Sequence, residues 1–159
     1  MTQEQALELF NYKDGVLYNR TDRANGKLKA GQPVGYINNT GYYRLELGGK
    51  KYLIHRIIFL MHHGYMPKEV DHKDGDMLNN SIENLRAATH FQNMRNVKAP
   101  ATNKSGYKGV CWHKRTRAWR AQISANNKKI YLGDFKTPEA AYEKYKEAAL
   151  IHHKEFAHV

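Results

Sequence analysis

The chain has 159 residues, 26 Lys plus Arg against 15 Asp plus Glu, and a formal net charge of +11. That balance, with a pI near 9.7, points to a polyanionic partner; no apolar run of spanning length and no basic amphipathic helix supports a membrane in that role. One cysteine, Cys111, excludes an intramolecular disulfide and a multi-cysteine zinc site, and MTQEQALELF lacks the basic and apolar regions of a signal peptide, so a cytoplasmic location is expected.

Residues 1–66 form the first expected region. Thr2 and Gln5 have capping-box spacing, and Ala6, Leu7, Leu9 and Phe10 supply apolar surface for a short helix. Asp14-Gly15 signals a turn, and Val16 to Asn19 reads as a strand. Gly, Asn and Lys dominate 22–41, which suggests a loop with short strands. Tyr42 to Leu47 alternates, with Tyr43, Leu45 and Leu47 on one face; Gly48-Gly49 turns it back into Lys51–Ile54 as a hairpin. His55 to His63 is a compact apolar helix stopped by Gly64 and Pro67. These strands and this helix are expected to contact that polyanionic partner.

Residues 67–97 carry the chemistry. Val70-Asp71-His72 is a strand, Lys73 to Asn80 a loop rich in Asp, Gly and Asn, and Leu85 to Ala88 the returning strand. Thr89 and Gln92 repeat the capping-box spacing, so a helix should start at His90 and carry Asn93. Residues 98–104, with Pro and small polar side chains, read as a linker.

Residues 105–159 give three strands and a helix: Tyr107–His113, Ala118–Ala125, Lys128–Leu132 and a helix over 138–153, with Asn126-Asn127 as a hairpin turn. Thr137, Pro138 and Glu139 mark the helix start. In the second strand Trp119, Ala121 and Ile123 share one face, and Arg120, Gln122 and Ser124 the other. The apolar face should meet the helix. The opposite face then displays Arg120, Gln122, Lys129 and Tyr131, with His113, Lys114 and Arg117 nearby. From Ala101 to Gly133 there are eight Lys/Arg and no Asp/Glu, which suits contacts to phosphates and base edges.

The middle segment, VDHKDGDMLNNSIENLRAATHFQNMRN, combines an acidic hard-oxygen donor, an adjacent imidazole and more distant amides. Hydrolysis of a phosphodiester needs an activated water, charge stabilisation at phosphate and help for the leaving oxygen. His72 is the natural general base, because imidazole titrates near neutral pH. Asp71 is a natural ligand for Mg²⁺ or Mn²⁺. Adjacent strand residues point to opposite faces, so a bend at 71–72 is required if both are to reach one phosphate. Arg86 and Arg95 are further candidates for phosphate contact. His90 and the pair His62-His63 read first as surface or capping residues, and Asp74 and Asp76 as turn residues.

The spacing resembles the HNH nucleases, and DG…LNN…ENLR…T with the upstream HRIIFLMHHGYMP is similar to phage and intron homing endonucleases of a His-Asn-Asn variant. The resemblance implies a ββα-metal core around one divalent ion, with Asp71 and Asn93 as metal ligands, His72 as the base, and Asn84 fixing the loop and orienting that base. The usual histidine of the last position is Asn93 here, which implies Mg²⁺ or Mn²⁺ rather than tightly held zinc. The C-terminal residues YKGV, WRAQI, YLGDF and TPEAAYEKYKEAA resemble the plant ethylene-response-factor, or Apetala-type, DNA-binding domain. That likeness implies a three-stranded sheet in the major groove backed by one helix, with Lys108, Gln122, Ser124, Lys129 and Tyr131 at base-contact positions.

The expected fold is α+β: short β-hairpins and a helix, the ββα core, then a three-stranded antiparallel sheet on one helix. The expected function is metal-dependent, site-specific cleavage of double-stranded DNA by a monomer that nicks one strand and needs no obligate protein partner. The rivals are a sequence-specific DNA-binding regulator with a vestigial nuclease motif and an RNA-binding protein.

Overall fold

The computed structural model describes residues 1–23, 27–96, 103–125 and 128–157. The expected Asn126-Asn127 turn and most of the expected linker lie outside them. The chain divides into two compact units, Met1–His90 and Phe91–Val159.

In the first unit, α1 (Gln3–Leu9) starts on the reciprocal bonds of a capping box between Thr2 and Gln5. The chain leaves it directly into β1 (Phe10–Lys13), which pairs antiparallel with β2 (Val16–Asn19) across Asp14-Gly15. β3 (Tyr36–Ile37), β4 (Tyr43–Leu47) and β5 (Lys50–Leu53) form a three-stranded antiparallel sheet in sequence order. α2 (Ile54–His63) follows and ends on Gly64, whose φ of 77° lets its N–H reach back to the Leu60 carbonyl. Arg56 donates to the Pro67 and Lys68 carbonyls, both at 3.0 Å, and so holds the segment that leads into β6 (Glu69–His72). β6 pairs antiparallel with β7 (Leu85–Ala88).

One core serves all of this. Ala6, Phe10, Leu17, Leu45, Ile54, Ile57, Ile58 and Phe59 pack with Val70 and Leu85. The boundary expected near residue 66 therefore runs through a shared core: the site hairpin has too little apolar surface of its own and borrows that of α2. The N-terminal hairpin also reaches the loop after β6. The Tyr12 hydroxyl accepts from Ile82 N at 3.0 Å. A Cβ on Gly15 would stand 3.0 Å from Ser81 N and 3.1 Å from the Asn80 carbonyl carbon, at a φ of +81°.

α3 (His90–Asn96) follows β7 in the chain, with its residues from Phe91 onward in the second unit. That unit is dominated by an antiparallel sheet of β8 (Val110–His113), β9 (Ala118–Ala125) and β10 (Lys128–Phe135), with β9 central. α4 (Pro138–His153) is capped by Thr137, whose hydroxyl accepts from Ala140 N. Ala121 and Ile123 of β9 are buried with Ala141, Tyr145, Ala148 and Ala149 of α4, as the alternation in β9 predicts. Gly109 lies where a side chain cannot fit: a Cβ there would come within 2.1 Å of the Tyr145 ring. β10 runs three residues beyond the expected end at Leu132, through a bulge between Tyr131 and Gly133.

Candidate active site and nucleic-acid interface

The hairpin β6–β7 places Asp71 opposite Arg86 and His72 opposite Leu85, in continuous register. The bend that the sequence reading requires at 71–72 is therefore not made within the paired strands, and the two side chains turn to different neighbours. Each is 4% exposed. Asp71 Oδ2 accepts from Arg86 Nε at 2.8 Å and lies 2.7 Å from Arg86 Nη2. Arg86 thus directs its guanidinium to Asp71 rather than outward, a direct consequence of the register.

His72 Nε2 meets the Oδ1 of Asn80 at 3.0 Å, and Asn80 is 3% exposed. An amide oxygen only accepts, so Nε2 carries the proton and the ring's basic lone pair resides on Nδ1. His55 stands edge-on to His72 with centroids 5.0 Å apart, and the Tyr42 ring is 6.1 Å from His72 and 5.2 Å from His55. Burial, reinforced by His72 and Arg56, pushes His55 down to about 3, so it is a neutral ring at physiological pH. Burial first, then the charges of Asp71 and Glu69, raises the Tyr42 hydroxyl above its ordinary value.

Asn84 organises the loop. Its Oδ1 accepts from Asp74 N at 3.1 Å, while its Nδ2 donates to Asp74 Oδ1 at 2.9 Å and to the Asn79 carbonyl at 2.8 Å. Burial alone would raise Asp74, yet donors from Asp76 N, Asn79 and Asn84 bring it below the usual carboxylate value. The side chain bonded to His72 is Asn80, not Asn84. The tandem Asn79-Asn80 was the only sequence signal for this division, in which one amide ties the loop and the next faces inward. His90 pairs with Glu69 at 2.8 Å. The His62 ring bonds the Ile58 carbonyl at 2.9 Å, and His63 lies against Phe59 at 4.2 Å. Asn93 and Arg95 lie on α3, both partly buried.

Among the described residues no group of three or more His, Cys, Asp or Glu could hold a metal ion, and no helix is long and apolar enough to cross a membrane.

On the sheet of the second unit, Ser124, Lys129, Tyr131, Lys114 and Arg117 are exposed, while His113, Arg120 and Gln122 are half-buried. Lys129 pairs opposite Ser124, and Tyr131 opposite Gln122, so these four share a face. Lys108 is less available than its position suggests: its ammonium donates to the Arg95 carbonyl, and burial lowers it to about 8. Arg120 pairs with Asp134, at 2.8 Å from Nε to Oδ1 and 2.9 Å from Nη2 to Oδ2.

Residues 52–95 match the family model for HNH endonuclease, and residues 105–151 that for the AP2 domain. Protein 3.8 of Escherichia phage T7 is 42% identical over 67 residues, which is 41% of this chain and 55% of that protein. An uncharacterised HNH endonuclease of Acanthamoeba polyphaga mimivirus is 33% identical over 114 residues, 69% of this chain and 57% of the relative. An AP2-like ethylene-responsive transcription factor of Arabidopsis thaliana is 38% identical over 53 residues, 33% of this chain and 11% of that protein. The chain thus spans little more than half the length of the two viral relatives. A solved structure of the HNH homing endonuclease I-HmuI aligns over 91% of this chain and 84% of its own, at 22% identity and a TM-score of 0.41.

Proposed function

We propose that this chain, which joins an HNH endonuclease segment to an AP2 domain, is a metal-dependent endonuclease acting on double-stranded DNA. The observation that carries the reading is the buried bond from His72 Nε2 to Asn80. It fixes the tautomer that makes Nδ1 the basic nitrogen, a strand residue away from the buried carboxylate of Asp71. His72 takes the proton of the attacking water at Nδ1. Asn80 holds the ring plane, the neutral His55 packs its edge, and Asn84 keeps the 74–79 loop in one conformation. Arg86 orients the Asp71 carboxylate.

The donors suit a hard cation. Asp71 offers a carboxylate, and Asn93, the second ligand by motif spacing, offers an amide oxygen; that set fits Mg²⁺ or Mn²⁺ completed by water. A divalent ion bound there supplies charge stabilisation at the phosphate and at the leaving oxygen. The sheet face around Gln122, Ser124, Lys129 and Tyr131 meets DNA through base edges and phosphates. A monomer with one catalytic centre nicks one strand.

The bond between Asp71 and Arg86 favours one alternative, a DNA-binding regulator whose motif is structural, because a carboxylate neutralised by arginine is a poorer cation ligand. Supercoiled plasmid with Mg²⁺ or Mn²⁺ separates the two. The nuclease converts it to open circles, and excess chelator stops the conversion. No conversion with either ion, with plasmid still bound, would assign the regulator.

A further inference from the structure

The bulge in β10 re-aims one side chain. In an unbroken strand Asp134 would share the face of Ile130 and Leu132, which pack under the sheet. The register instead moves from Tyr131 opposite Gln122 to Gly133 opposite Ala121, and Asp134 lands opposite Arg120. The extra residue therefore brings Asp134 onto the face of Tyr131, Gln122 and Arg120. There it accepts two parallel bonds from the Arg120 guanidinium, the fork geometry that fixes the plane of an arginine. The Arg120 Cζ also sits 5.1 Å from the centroid of the exposed Tyr131 ring. Cys111, exposed, is the cross-strand neighbour on the other side. Behind the pair, the His113 ring meets the Thr116 hydroxyl at 2.9 Å, and Asp134 is further held down by a bond from Thr116 and the charge of His113.

This arrangement is a poor phosphate contact. A carboxylate on the fork cancels the attraction that an arginine would offer to a phosphate and repels the phosphate itself. It leaves Nη1 and one N–H of Nη2 as directed donors of fixed orientation. Donors of that kind suit the paired acceptors O6 and N7 of guanine in the major groove.

We infer that Arg120 reads a guanine edge and that Asp134, delivered by the β10 bulge, is the positioning residue that fixes its orientation, with Tyr131 as the lateral stop. The inference rests on the reading of this sheet as the DNA-contacting surface.

The test is selection of duplexes from a randomised pool by the full chain in excess chelator, which prevents cleavage. Wild type, Arg120→Lys, Asp134→Asn and Asp134→Ala are compared, each checked for folding by thermal melt. Wild type is expected to enrich G·C at one base pair. Arg120→Lys and Asp134→Asn should each cut that enrichment at least about fivefold while sparing other positions. Asp134→Ala should bind random duplex as tightly as wild type or more tightly, because it removes a negative charge. A purely structural role for the pair would lower all positions together, and that result overturns the inference, as would unchanged enrichment in the variants. A wild type that selects no sequence overturns both the inference and the reading of the sheet as a DNA reader. If Asp134→Asn does not fold, Arg120→Lys, which keeps the charge beside Asp134, decides the question.

Discussion

At the scale of single residues, Asn80 decides which nitrogen of His72 can act as a base. Replacing it by Ala removes the amide oxygen that meets Nε2 at 3.0 Å and lets the ring turn or change tautomer. Asn80→Ala should therefore lower the single-turnover cleavage rate by about 100-fold, the cost of a misplaced reacting group, with DNA affinity within about twofold. A rate equal to wild type would remove Asn80 from the mechanism. His55 makes a separate prediction about stability. Its value is about 3 when folded against 6.5 when exposed. A depressed value leaves stability intact above about pH 6.5 and erodes it as pH falls through that value toward 3, since only the unfolded chain takes up the proton. At pH 5 the loss should be about 2 kcal/mol. Chemical denaturation of wild type and His55→Phe at pH 7.5 and pH 5 checks this: the wild-type drop should shrink in the variant, and an equal drop in both would contradict the assignment. Both features were hidden from the sequence, because a histidine in an apolar helix and one asparagine of a tandem pair declare their partners only once α2 and β6 are packed together.

At the scale of elements, the sequence was most legible where a local device fixes the chain. The Thr2–Gln5 capping box, the Thr137-Pro138 helix start and the alternation of β9 each appear where the residues predict. β1 was not foreseen, since Phe10 reads as apolar surface of the first helix and the alternation of Phe10 and Tyr12 spans only four residues, which gain strand form by pairing with β2. The β10 bulge was not foreseen either: Gly133, with a φ of +135°, permits it, but only the pairing of Asp134 with Arg120 reveals it. The pairing of Asp71 with Arg86 was recoverable in principle, because hairpin register places them opposite once the strand ends are set. The packing of β8 on α4 depends on Gly109, which has no room for a methyl group beside Tyr145 and a φ of +74°. Gly109→Ala should destabilise the second unit by about 1–3 kcal/mol and should leave cleavage of saturating plasmid intact. A melting temperature unchanged from wild type would show that α4 yields at no cost.

At the scale of the whole molecule, the net charge of +11 sets how binding responds to salt. Exposed Lys114, Arg117 and Lys129 belong to a stretch without acidic residues. If each neutralises one phosphate, replacing all three by Ala should flatten the log–log salt slope by about 0.9 per contact, and by about the same amount on target and random duplex. An unchanged slope would move the phosphate contacts elsewhere. The proposed base His72 on β6 and the proposed reading face of β9 and β10 lie on different elements, so binding and cleavage should be separable by mutation. The most direct measurement of the central claim is single-turnover cleavage of a bound duplex by wild type and His72→Ala in Mg²⁺ or Mn²⁺, with affinity measured in parallel in chelator. His72→Ala should lose about 100-fold or more in rate with affinity nearly unchanged; equal rates for the two proteins would contradict the role of His72 as the base.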